Sequence, residues 1–246
     1  MKVVAIIQAR TGSTRLPNKV MRPLCGRPMI HHVVQRARRI DGVDEVAVAT
    51  SRRPGERSLV EYVESVLDAP VVRGPEDDVL RRFVDAASRH RAEVIVRLTA
   101  DCPLLSPRVS ADVLRAFLGA NGDIDYASNT LQRTFPRGLD TEVFDIETLR
   151  RAHRRARSAS EREHVTVPIY TCPGEFRLLS VRARRAYPLY RWTVDTEPDF
   201  ELVRRIYDAL YATRPRFELP EILRVVERHP DWVEINDDIV QKQARI

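Results

Sequence analysis

Three features of this 246-residue chain predict an α/β fold, with a mostly parallel sheet and helices on both of its faces. The first is the apolar run Val3 to Ile7 with Ala9, interrupted only by Gln8. A strand with one wet face would alternate polar and apolar residues, so this one is buried on both sides. The second is a regular alternation of strand-like and helix-like segments as far as Asn129, the order expected of parallel strands joined by crossover helices. The third is a change of rhythm after Asn129, which predicts a small extension on the sheet core.

Taken in order, Val3 to Ile7 is the central strand. From Pro28 to Ile40, residues Ile30, Val33, Val34, Ala37 and Ile40 fall on one helical face. Glu45 to Thr50 reads as a strand, Leu59 to Leu67 as a helix and Pro70 to Val72 as a short strand. Asp77 or Asp78 opens the next helix, where a carboxylate meets the helix dipole favourably. Val94 to Val96 form a buried strand, and Asp101 stands just past its end. A helix over Pro107 to Ala120 and a strand candidate over Asp123 to Asn129 follow.

Beyond that point a Pro-Arg-Gly turn precedes a strand at Thr141 to Phe144, a very basic helix within Leu149 to Arg157, and a strand over Phe176 to Val181. A strand-like run, Leu189 to Val194, ends at Asp195. Helices over Pro198 to Tyr211 and Pro220 to His229 close the chain, with a loose polar tail expected from Asn236 to Ile246. This organisation gives one domain over residues 1–230, a distinct subregion over 130–185, and a tail over 231–246.

Hydrophobic residues make up 43% and charged residues 31%, values of a globular chain. No apolar run approaches the roughly 20 residues that span a bilayer, and the N-terminus reads as a strand rather than a signal peptide. Cys25, Cys102 and Cys172 are odd in number and far apart, so neither a disulfide framework nor a zinc site is indicated, which suits a reducing cytoplasm. His31 and His32 open an ordinary helix and read as structural. A net charge of +6 would suit nucleic acid, but the arginines are interleaved with 35 acids and aromatics are only 7%. A solvated arginine-rich surface is the better reading, with no nucleic-acid or membrane partner.

Two places carry chemistry. Arg10 to Lys19 crowd cations, hydroxyls and one glycine into the loop after the first strand, where open α/β sheets bind ligands. Only Lys2, Lys19 and Lys242 are lysines, so Lys19 stands out in an arginine-dominated chain. Such a loop suits a polyphosphate, although it matches neither familiar glycine-rich phosphate signature; a solvated basic turn is the alternative. Asp101 and Asp195 each follow an apolar run, and two carboxylates are a common protein contribution to a Mg²⁺ site. Alternatively, they are turn or cap residues.

The segment Gln8 to Lys19 resembles the N-terminal signature of the sugar-acid cytidylyltransferases, and most closely their SpsF-like spore-coat polysaccharide branch. The pattern A-R-x-x-S-x-R-L-P-x-K is met by Ala9, Arg10, Ser13, Arg15, Leu16, Pro17 and Lys19, with Asn18 in place of a common Gly. RLTADCPL is similar to the family's R-L-T-G-D-C-P-L, with Ala100 for Gly, and RWTVDTEPD to R-x-T-V-D-x-x-x-D. VVRGPEDDVLRRF, SNTLQRTFPRGLDTEVF and EREHVTVPIY extend the match to about Phe200.

The resemblance implies a nucleotide-diphospho-sugar transferase or Rossmann-like fold and transfer of CMP from CTP to a small acidic acceptor. By it, Arg10, Arg15, Lys19, Asp101 and Asp195 are catalytic, and Asp101 and Asp195 hold Mg²⁺. Ala9, Gly12, Ser13, Thr99, Arg73 and Asp77 join the nucleotide site, the last two near the base. Arg137, Asp140, Glu142 and His164 face the acceptor, usually a 2-keto sugar acid, though some relatives activate other acids or phosphonates. A cytoplasmic homodimer meeting through residues 133–167 is also implied. Two rivals remain: a nucleotide-sugar glycosyltransferase with Asp123 and Asp125 as its D-x-D pair, and a non-catalytic nucleotide or RNA binder.

Overall fold

A computed structural model describes residues 1–172, 174–185 and 187–240. In chain order the elements are β1 (Val3–Gln8), β2 (Pro23–Leu24), β3 (Arg27–Pro28), α1 (Met29–Ala37), β4 (Glu45–Ser51), α2 (Arg57–Ser65), β5 (Val71–Gly74), α3 (Val79–Arg89), β6 (Val94–Thr99) and α4 (Pro107–Gly119). The second half adds β7 (Tyr126–Ser128), β8 (Glu142–Asp145), α5 (Ile146–Arg155), α6 (Ala159–Glu163), α7 (Val167–Tyr170), β9 (Leu178–Ser180), α8 (Glu197–Leu210), α9 (Leu219–Arg228) and α10 (Asp231–Glu234).

Seven strands form one sheet in the order β5-β4-β1-β6-β8-β7-β9, and β2 with β3 forms a separate small hairpin. All the pairings of β1, β4, β5 and β6 among themselves are parallel; β8 alone runs against its neighbours, β6 and β7. The expected mostly parallel sheet is therefore present. Residues 130–185 do more than extend it, because β8 is inserted between β6 and β7.

Strand β1 shows why its sequence does not alternate. Ala5 and Ile7 join the core shared with α1, α4 and α8, while Val4 and Ile6 join the opposite core, with Phe83 of α3 and Leu149 of α5. Fully burying a valine or isoleucine is worth about 1.5–3 kcal/mol, so a charge at any of these positions would oppose the central strand.

Three expectations need correction. Leu189 to Val194 is not a sheet strand; it forms one isolated bridge, Arg137 to Arg191. It nonetheless runs extended beside the core, with the Val194 amide donating to the Asp101 carbonyl at 2.8 Å. Asn236 is buried rather than loose, and its Nδ2 donates to the Arg191 carbonyl and to Asp199 Oδ1, both at 2.9 Å. Residues 241–246 of the expected tail lie outside the described residues. The basic helix begins earlier than expected, at Ile146, because Asp145 caps it by accepting from the Thr148 amide at 2.7 Å. Among the described residues, no helix is long and apolar enough to cross a membrane.

Candidate active site

Two clefts open at the carboxyl ends of the parallel strands and share a wall made of Thr99, Asp101, His164 and Asp195. The first has a volume of about 750 Å³ and takes one side from the loop after β1, including Ala9, Arg10, Gly12, Ser13, Arg15 and Lys19. The loop is shaped from Thr11. The Thr11 carbonyl accepts from the amides of Ser13 at 2.8 Å and Asn18 at 2.9 Å. The Thr11 N–H is held by both carboxylate oxygens of Glu56, at 3.2 and 3.0 Å.

Asn18 has φ 56°, the left-handed conformation that asparagine tolerates better than most residues. Gly12 does not need such an angle; a side chain there would meet open space, so its smallness leaves room for a ligand. The amides of Gly12, Thr14 and Arg15 have no acceptor among the described residues. Three free N–H groups beside Arg10, Arg15 and Lys19 are suited to a polyanion.

The two aspartates, 94 positions apart in sequence, meet on one ammonium. Lys19 Nζ lies 3.3 Å from Asp101 Oδ2 and 2.9 Å from Asp195 Oδ1, and donates to the Val194 carbonyl at 2.7 Å. Burial works to lower the Lys19 pKa, but the two carboxylates outweigh it and raise it above 10.5. Burial likewise works to raise that of Asp195, yet Lys19, Arg15 and Arg191 hold it below 3.8. Lys19 stabilises the fold below pH 10.5 and stops doing so only above its raised pKa. Asp195 does so above pH 3.8 and fails only below its depressed one. Neither aspartate is spent as a helix cap. Ser106 caps α4 and Thr196 caps α8, so both carboxylates face the cleft.

Supporting contacts set their aim. Thr99 Oγ1 donates to Asp101 Oδ1 at 2.5 Å. Arg191 donates from Nη2 to Asp195 Oδ2 at 2.9 Å and from Nε to the fully buried Asp199 at 2.8 Å. Ala100 needs no left-handed backbone, and its amide donates to the Gln8 carbonyl at 2.9 Å. An alanine therefore fits ahead of Asp101 without backbone strain.

The second cleft, about 460 Å³, includes Arg97, Arg133, Arg137, Asp140 and Glu142 in its lining. Most of this charge is already matched. Arg133 grips Asp140 with two hydrogen bonds of 2.6 and 2.9 Å, and Arg97 pairs with Glu142. Glu142 also accepts from the hydroxyls of Tyr126 at 2.5 Å and Thr166 at 2.6 Å, so it holds the wall and is not free to receive an acceptor. The Arg137 guanidinium makes no hydrogen bond or ion pair among the described residues. Burial, Arg133 and Arg191 lower its pKa against the pull of Asp140. His164 stands where the clefts join, next to Val165, whose φ of 53° is costly for a β-branched residue.

Arg73 and Asp77 are not in either lining. Arg73 instead donates to the carbonyls of Ser51 at 3.2 Å and Arg53 at 3.1 Å. Arg53 and its ion-pair partner Glu76 line the first cleft in their stead. Both follow sheet strands, which was the readable signal. Glu56 gave none, since it is one of many glutamates. Arg97 did: an arginine inside the apolar run of β6 is expected to find an acid. Asp125 is occupied by Arg151 and Arg177, each at 3.1 Å, so the D-x-D pair belongs to the fold of that region and supplies no open metal site.

A cationic loop and paired carboxylates between two clefts, on a sheet of this topology, define a nucleotidyltransferase. The chain belongs to the cytidylyltransferase family, whose profile matches residues 4–228. It is 32% identical to the spore coat polysaccharide biosynthesis protein SpsF of Bacillus subtilis, over 93% of this chain and 95% of that protein. To a 3-deoxy-manno-octulosonate cytidylyltransferase of Anaeromyxobacter dehalogenans it is 35% identical, over 71% of this chain and 74% of the other. A cytidylyltransferase structure from Leptospira borgpetersenii superposes with a TM-score of 0.90 at 28% identity, covering 99% of this chain and all of that one.

Proposed function

We propose that this cytidylyltransferase transfers CMP from CTP to a 2-keto sugar acid and releases pyrophosphate. One observation carries the reading: the cationic cleft and the arginine-lined cleft share the wall that holds Asp101 and Asp195. A nucleotide and an acid seated one in each would place the α-phosphorus beside the attacking oxygen.

In this reading the triphosphate lies on Arg10, Arg15 and the free amides of the first loop. The acceptor carboxylate meets Arg137, whose fork has no acid partner of its own among the described residues. The anomeric hydroxyl oxygen bonds to the α-phosphorus as the bond to the β-phosphate oxygen breaks. Pyrophosphate carries away the electron pair, and the hydroxyl proton passes to solvent. His164, kept neutral by burial, offers a ring nitrogen to that hydroxyl. Catalysis is then positioning plus electrostatic stabilisation, with no covalent enzyme intermediate.

The donor set also fits Mg²⁺. Asp101 and Asp195 direct hard carboxylate oxygens at a single cationic position, now taken by Lys19, and this ion commonly adds water and phosphate oxygens to one or two carboxylates. When bound, it neutralises charge developing on the phosphoryl oxygens. Resemblance further gives a homodimer meeting through residues 133–167, which analytical ultracentrifugation checks. The function is tested by pyrophosphate release with all four nucleoside triphosphates against a panel of keto sugar acids. Release with CTP and a sugar acid is expected. Sugar transfer from a nucleotide-sugar without CTP consumption would overturn the reading.

A further inference from the structure

An ammonium has three N–H groups, and in Lys19 each has an acceptor: Asp101 Oδ2, Asp195 Oδ1 and the Val194 carbonyl. Its side chain is only 10% exposed. A phosphate can therefore gain a hydrogen bond from Nζ only if one of these partners is released. The phosphate contact implied for Lys19 and the aspartate contact seen here are alternative states of one side chain.

A divalent cation held by both aspartates would compete with Lys19 for their carboxylates. Arg15 and Arg191 reach the other oxygen of Asp195, whereas Lys19 lies between the two aspartates and touches both. Its charge offsets one of the two negative charges, and its bulk fills the position between them. A cation arriving alone would have to displace a matched, buried ion pair. A triphosphate entering the first cleft offers the ammonium a new anionic partner on the side lined by Arg10, Gly12 and Arg15.

We infer that Lys19 is the resident counter-ion of the metal-binding carboxylates. Without nucleotide it bars a divalent cation, and it yields the position when the triphosphate draws its ammonium away. This rests on the metal assignment proposed above. The consequence is an order of assembly: the cation comes with CTP or after it, never ahead of it. Only the side-chain torsions of Lys19 need change, since its backbone is held by the turn at Asn18, where the Met21 amide donates to the Asn18 carbonyl at 3.0 Å.

Mn²⁺ is the probe. Titration followed by electron paramagnetic resonance, without nucleotide, should show Lys19→Met binding Mn²⁺ at least tenfold more tightly than the wild type. Equal or weaker binding by a folded variant overturns the inference. Wild-type crystals decide the matter independently of that variant. Anomalous density between Asp101 and Asp195 is expected after soaking with Mn²⁺ and CTP together, and none with Mn²⁺ alone. Density with Mn²⁺ alone overturns the gating role while keeping the metal site. Absence of density in both soaks removes the metal site itself, and the inference with it.

Discussion

In the first cleft the cations are held loosely or in a form that can be exchanged, whereas in the second they are matched within the wall. Among the described residues Arg10 reaches only an exposed Glu163, at 3.4 Å, the kind of surface pair worth about 0–1 kcal/mol, and Arg15 shares Asp195 with Lys19 and Arg191. Across the shared wall, Arg97 and Arg133 are committed to Glu142 and Asp140, and Arg137 alone stays unmatched among the described residues. The difference fits two kinds of ligand. A polyanion is met by several cations that can regroup around it. On the proposed reading a single carboxylate would be selected by leaving one fork free and neutralising the rest, which would also deny the second cleft the charge to capture a triphosphate.

The shared wall is where the comparison is broken most completely. Asp195→Asn or Asp101→Asn should cut CTP-dependent pyrophosphate release by about 10²–10⁴-fold, with the far-ultraviolet circular dichroism unchanged. Full activity in either would reject the assignment of that residue. A change on one side only should sharpen the contrast. Arg137→Ala should raise the acceptor KM about 10–100-fold and leave the CTP KM alone, and Arg137→Lys should not rescue it, because a point charge does not replace a two-pronged contact. An equal rise in both constants would show that the clefts are not separable.

Glu56→Gln tests the opposite side with a smaller effect. The Thr11 N–H loses half of a charged acceptor worth about 1.5–3 kcal/mol, so the CTP KM should rise by about tenfold while the acceptor KM stays put; a change confined to the melting temperature would reduce Glu56 to a structural role. The smallest effect is on pH. Burial, with Arg97 and Arg10 and against the pull of Glu163, lowers the His164 pKa below 6.5. The imidazole is therefore neutral above that depressed value and protonates only as pH falls through it. The acceptor KM should be flat from pH 7 upward and rise modestly in acid, and Gln at position 164 should remove that rise.

Much of this was legible in order along the chain. The unbroken apolar run of β1, the helix faces from Ile30 to Ile40 and the cationic loop carry their own physical signatures, because burial on two faces, helical periodicity and clustered like charge are local properties. Asp101 and Asp195 were readable as candidates since each ends an apolar run. That Arg73 and Asp77 fall outside both cleft linings was not legible, for the opposite reason. Which way a side chain near a strand end points depends on neighbours that are distant in sequence, for Arg73 the carbonyls of Ser51 and Arg53.

By itself, then, the sequence determined the layered α/β architecture, the ligand-bearing end of the sheet and the residue types that meet there. Only the tertiary structure decided that β8 runs reversed within the sheet, that Glu142 is spent on Arg97 and two hydroxyls, and that one ammonium bridges two aspartates 94 positions apart. Pattern along a chain reports how a residue meets water and its near neighbours. Pairing of charges across the fold is settled by packing geometry, which brings distant groups within hydrogen-bond reach or holds them apart.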